Sequence, residues 1–141
     1  MASHEDGMLV VELAKWGTQI GLDEALKVVL ADHYDPQQAM YDESHVQTIL
    51  QFGETVGTLT KNGALDQALV LDWLWVSGMW ARVAPAALAQ RERLGVPELF
   101  ENFEALAELR RCAGAQFDPS VVEAFGAVWR QQAVTPLAEA A

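Results

Sequence analysis

Cysteine is nearly absent from this 141-residue chain. Cys112 stands alone, so no internal disulfide can form and no disulfide-stapled secreted scaffold is indicated. Cations are also scarce. Three lysines and six arginines face twenty carboxylates, and the net charge of −11 repels nucleic-acid phosphates and anionic membrane surfaces. No apolar run approaches the roughly 18 residues of a membrane span. The longest candidate, Trp73 to Ala81, is fenced by Asp72 and Arg82. The opening residues Met1 to Gly7 lack the basic and apolar regions of a signal peptide and are expected to be a frayed start or a cloning remnant. Together these absences predict a soluble, cytoplasmic protein that engages neither nucleic acid nor membrane. Glycine-rich phosphate loops, HExxH, EF-hand loops and Cys/His fingers are missing too, and no cofactor is indicated. No stretch alternates with period two between turns, so no strand is expected.

What is present is apolar and helical. Hydrophobic residues make up 51% of the chain, enough for a real core with a surplus that points to a subunit contact. The richest stretch is Leu65 to Leu94, where Trp73, Trp75 and Trp80 sit among Leu69, Val70, Leu71, Leu74, Val76 and Met79. A helix apolar on nearly every side must be buried on several sides. The expectation is therefore an all-α, single-domain bundle of five to seven helices around this central Trp-rich helix. The domain should span residues 8–134, followed by a frayed, alanine-rich tail at 135–141.

The remaining elements follow from spacing and caps. Residues 8–31 form one kinked helix or two short ones, because Gly17 and Gly21 weaken the middle. Asp35-Pro36 starts a turn. Ser44-His45-Val46-Gln47 fits a capping box, so the next helix should begin at His45. Its stripe includes Gly53 and Gly57, four apart on one face, which lets another backbone come close; the Trp helix is the expected neighbour. Asn62-Gly63 ends it. Pro85 should kink or break the Trp helix near Val83. Val96-Pro97-Glu98 restarts a helix with Leu99, Phe100, Phe103, Leu106 and Leu109 inward. Asp118-Pro119 caps a last one with Val121, Val122, Phe125, Val128 and Trp129 inward.

Three groups of residues are candidates for function. Trp73, Trp75, Met79 and Trp80, with Phe52 and Phe103, are read as a ligand-binding or interface cluster. Glu54, Asp72 and Arg82 lie within apolar helices, where a buried charge must be paired or change its pKa; an Asp72–Arg82 or Glu54–Arg82 pair is conceivable if the helices lie side by side. His33, Asp35, Asp42 and His45 carry imidazole and carboxylate donors that suit a divalent ion, although their spacing matches no metal motif. Charge is uneven: residues 1–72 hold twelve acids against Lys15, Lys27 and Lys61, and all six arginines come later.

The order of features from Phe52 onward resembles a family of small bacterial domains of unknown function. The resemblance rests on Phe52-Gly53-Glu54, Lys61-Asn62-Gly63-Ala64-Leu65, the helix bearing Trp80, Arg91-Glu92-Arg93 and, most specifically, Phe100-Glu101-Asn102-Phe103-Glu104. It covers about residues 45–109 and implies an all-helical fold, with no activity attached. The functional expectation is a non-enzymatic interaction module, a homo-oligomer or homodimer, that binds a protein partner or a small apolar ligand. The alternatives are a small metal-dependent hydrolase using His33, Asp35, Asp42 and His45, and a small-molecule sensor with a Trp-lined pocket.

Overall fold

A computed structural model describes residues 1–115 and 119–132, with side chains for 1–112 and 123–132. Among the described residues there are seven helices and no strand. They are α1 (His4–Ile20), α2 (Leu22–Val29), α3 (Ser44–Lys61), α4 (Gln67–Trp73), α5 (Val76–Leu94), α6 (Glu101–Ala115) and α7 (Pro119–Gln132). The architecture is an all-α bundle, as the periodicity predicts.

Its centre is α3 rather than the Trp helix. Val46, Ile49, Leu50, Phe52, Gly53, Val56, Gly57 and Thr60 are all buried, and α3 packs against α2, α5, α6 and α7. The expected Trp-rich rod does not exist as one helix. It breaks at Leu74 and Trp75, where the backbone leaves helical geometry (Leu74 φ −110°, ψ 137°; Trp75 φ −80°, ψ 66°). The reason lies in where the apolar residues fall. Val70 and Met79 are nine residues apart, which would set them about 180° apart on an unbroken helix. Both are buried, because the break lets α4 and α5 each turn one face inward. Apolar residues all round one helix are thus two one-sided helices in succession.

Pro85 neither breaks nor ends α5, which is helical through it. Proline cannot donate to the carbonyl of Ala81, but Ala81 is exposed and water can take that role. Gly21 does break the first segment. It takes a left-handed conformation (φ 82°) and serves as the last cap of α1 and the first of α2. Gly17 stays helical and buried, tight against Leu22 and Phe52.

Helix α1 begins earlier than expected, at His4. Ser3 and Asp6 form a reciprocal capping box, with Asp6 N–H donating to Ser3 Oγ (3.1 Å) and Ser3 N–H to Asp6 Oδ2 (2.7 Å). Asp6 Oδ1 also accepts the Asp66 N–H (3.0 Å), which ties the start of α1 to the cap of α4. These hydrogen bonds, the Ser3 ones foremost, hold the Asp6 carboxyl below its ordinary value. The capping box expected at Ser44 is not formed. Glu43 is the cap residue, and its carboxylate accepts the Met40 N–H (2.8 Å) instead. Residues 97–100 are turn, so α6 starts at Glu101 rather than near Pro97. The cap expected at Asp118 lies outside the described residues.

Candidate functional site

The segment Phe100–Glu104 is where α6 locks onto α3 and α5. Phe100 sits just before the helix in a left-handed conformation (φ 59°), rare for a bulky residue, and its ring meets Tyr41 at 6.2 Å. Glu101 lies 4.0 Å from Lys61. Asn102 Nδ2 donates to Thr58 Oγ1 (3.2 Å). Phe103 N–H donates to Glu54 Oε2 (2.9 Å), while the Phe103 ring fills the place a side chain at Gly53 would take. Gly57 lies under the backbone of Asn102. The close approach allowed by Gly53 and Gly57 is real, but its beneficiary is α6 and not the Trp helix. The reason is geometric: only a bare α3 surface admits both the Phe103 ring and the α6 main chain.

Glu54 therefore caps α6 from a neighbouring helix. It satisfies an N–H of the first turn and sets a negative charge by the positive end of the α6 dipole. It does not pair with Arg82. Burial is the largest influence on its carboxyl and raises its pKa above the ordinary 4.5, with the N–H groups of Phe103 and Asn102 pulling the other way. The folded protein then holds a proton at Glu54 more tightly than the unfolded chain does. Stability is lost as pH rises from the ordinary value through the raised one. Glu54→Gln, which keeps an oxygen for the Phe103 N–H, should be at least as stable as the parent at pH 7, and this advantage should shrink toward pH 4. Glu54→Ala should cost about 1 kcal/mol through the lost cap. Chemical denaturation across that pH range measures both; an advantage of the Gln variant that grows on acidification would contradict the assignment.

Arg91 is the second anchor of the same junction, and the apolar pattern of α5 gave no sign of it. Its Nε donates to the Leu99 carbonyl (2.5 Å), and its Nη1 lies 2.7 Å from Glu104 Oε2. The guanidinium also stands over the Trp80 ring, 5.9 Å from its centroid. Arginine's planar, many-donor head makes this possible where lysine's would not.

The three clustered tryptophans part company. Trp73 makes an edge-to-face contact with Phe52 (6.2 Å), and Phe52 is also stacked with Trp16 (5.6 Å). Trp80 packs edge-on against Phe103 (5.1 Å), and Met79 is buried. Trp75 is 62% exposed at the α4–α5 break, its indole lying flat against Gly78. Phe52, Phe103, Trp73 and Trp80 thus belong to the core and its margin, and Trp75 faces outward.

Asp72 and Arg82 are not paired with each other among the described residues. Asp72 is exposed beside an open cleft of about 770 Å³ that is also lined by Asp66, Gln67, Glu123 and Arg130. Arg82 lies close enough to Tyr34 to oppose the rise in that phenol's pKa, which burial and then the Glu43 charge produce. The four metal candidates do not gather. His33, Asp35 and Asp42 are exposed, and Asp35 Oδ1 accepts the Gln37 N–H (3.0 Å) within its turn. His45 Nε2 lies 2.7 Å from Glu43, off the line of a good hydrogen bond, with the Tyr34 ring at its edge. Among the described residues no three His, Cys, Asp or Glu side chains lie close enough to share an ion.

On α7 the inward face is narrower than expected. Trp129 is buried, but Phe125 and Val128 are 58% and 57% exposed; the side chains of Val121 and Val122 lie outside the described residues. No helix among the described residues is long and apolar enough to cross a membrane.

The family model for a domain of unknown function, DUF4760, matches residues 13–111, a span that holds the whole α3–α6 junction. No curated protein and no solved structure matches the chain.

Proposed function

The chain belongs to the DUF4760 family of domains of unknown function, and because that membership carries no chemistry, we propose from the geometry that this is a non-enzymatic helical interaction module. A second copy of the chain is its first partner, and a protein with a complementary apolar surface is the alternative partner. With one cysteine in the chain, we assign it to the reducing cytoplasm. The observation that carries the reading is Trp75. Indoles are enriched among the few residues that dominate binding energy. This one is exposed, and it rests on Gly78, where a β-carbon would collide with the ring. A ring already ordered loses little freedom when a partner covers it.

Size-exclusion chromatography with light scattering over a range of concentrations tests the proposal. The parent should self-associate, and more strongly as salt screens the repulsion between two chains of charge −11. Trp75→Ala should weaken association by about tenfold while changing stability by no more than about 0.5 kcal/mol, as for an exposed site. Gly78→Ala should weaken it similarly by displacing the ring, although alanine inside a helix normally adds up to about 1 kcal/mol. A chain that stays monomeric at every concentration, with association partners absent for both parent and variants, would refute self-association.

A further inference from the structure

We propose that the groove between α6 and α7 receives a basic amphipathic helix from a partner protein. The groove has a volume of about 360 Å³, with Ala105 and Trp129 in its lining. One wall is apolar: Phe125 and Val128, three residues apart on α7 and both more than half exposed. The other wall is acidic: Glu101, Glu104 and Glu108 on α6, spaced three and four apart, so they form one ridge about 10 Å long over two turns. Among the described residues, no lysine or arginine lines the groove.

Lys61, Arg91 and Arg111 each touch one of these carboxylates, at 4.0, 2.7 and 2.5 Å. Those contacts hold the ridge in register while leaving each glutamate about half exposed. An apolar wall beside an acidic ridge complements a helix that carries apolar side chains at three- and four-residue spacing with Lys or Arg along one flank. A second copy of this chain fits poorly, since it would bring another −11 to an acidic rim. The inference goes beyond the Trp75 reading and is independent of it, because Trp75 is not part of the groove lining.

The test uses the full chain and two labelled 18-residue synthetic peptides in fluorescence anisotropy. One has leucine at the a and d positions of a heptad and lysine elsewhere; the other replaces each lysine by glutamate. The Leu/Lys peptide should bind at least tenfold more tightly than the Leu/Glu peptide, and its affinity should fall as salt rises. Phe125→Ser combined with Val128→Ser, both at exposed sites, should weaken it at least tenfold, and Glu108→Gln should weaken it severalfold. Trp75→Ala should leave it unchanged, which separates this result from the self-association test. Three outcomes overturn the proposal: no binding of either peptide, equal binding of both, or Leu/Lys binding that the double serine variant does not reduce. Loss of self-association in the double serine variant, with Trp75→Ala still associating, would assign the groove to a second copy and overturn both proposals.

Discussion

Phe103→Ala should destabilise the fold by about 3–5 kcal/mol, the range for truncating a fully buried aromatic. That is a large share of the roughly 5–15 kcal/mol that holds a domain together. Phe103 is completely buried, its ring seated on the bare Gly53 surface of α3 with Trp80 at its edge. Removing it forfeits the burial, the aromatic contact and the filling of the α3–α6 seam at once. Gly53 forms the other half of this contact. Gly53→Ala alone drives a β-carbon into the ring and should cost about 1–3 kcal/mol by overpacking. In the Phe103→Ala background the same methyl enters the space the ring has left and should be neutral or stabilising. A double-mutant cycle by urea denaturation reads this as a coupling energy; simple additivity of the two losses would show that the ring does not sit on Gly53.

Gly57→Ala should behave differently, with a net loss of about 2–3 kcal/mol that no side-chain substitution on α6 relieves. A β-carbon there would stand 2.5 Å from the Asn102 carbonyl oxygen and 3.0 Å from the Phe103 nitrogen. Main-chain atoms cannot rotate away as a phenyl ring can. To make room α6 must lift off α3, straining the Phe103 N–H to Glu54 and Asn102 to Thr58 hydrogen bonds. Alanine's advantage of up to about 1 kcal/mol over glycine within a helix is too small to offset this. Gly7, where a β-carbon meets nothing within 4 Å, is the matched control, and Gly7→Ala should show that advantage undiminished. Thermal unfolding of the two variants side by side measures the contrast; a Gly57→Ala protein as stable as Gly7→Ala would mean that the helices are not in backbone contact.

These two positions also explain why the segment Phe100–Glu104 is so recognisable in the chain. Each of its residues touches something specific: Tyr41, Lys61, Thr58, the Gly53 surface with Glu54, and Arg91. Its demands are those of one helix docking on two others, and they are structural. Of the surfaces proposed for association, Trp75 lies outside that lock, and the α6–α7 groove shares Glu101 and Glu104 with it.

Periodicity, caps and composition by themselves determined the helical class, the absence of strands among the described residues, a kink or break in the region of Gly17 and Gly21, and the end of α3 at Asn62–Gly63, while the structure chose Gly21 as the break. These are local matters: a 3.6-residue repeat, a left-handed glycine and a missing β-carbon act over a few neighbouring residues. The glycine pair at 53 and 57 was legible as a place of close approach, and Glu54 as a buried charge in want of a partner. Which helix would come close, and which group would meet the charge, was not legible, because both answers lie some fifty residues away and depend on how the chain packs. Tertiary packing alone decided that the Trp-rich stretch divides at Leu74–Trp75, since no proline or glycine marks the spot and only the need to bury Val70 and Met79 together requires it. It alone decided that Pro85 is tolerated, that Arg91 binds the turn at Leu99, and that Phe125, Val128 and Trp75 stay outside. An apolar side chain announces that it prefers to be covered; whether its own fold covers it depends on the competition among all the helices for one core.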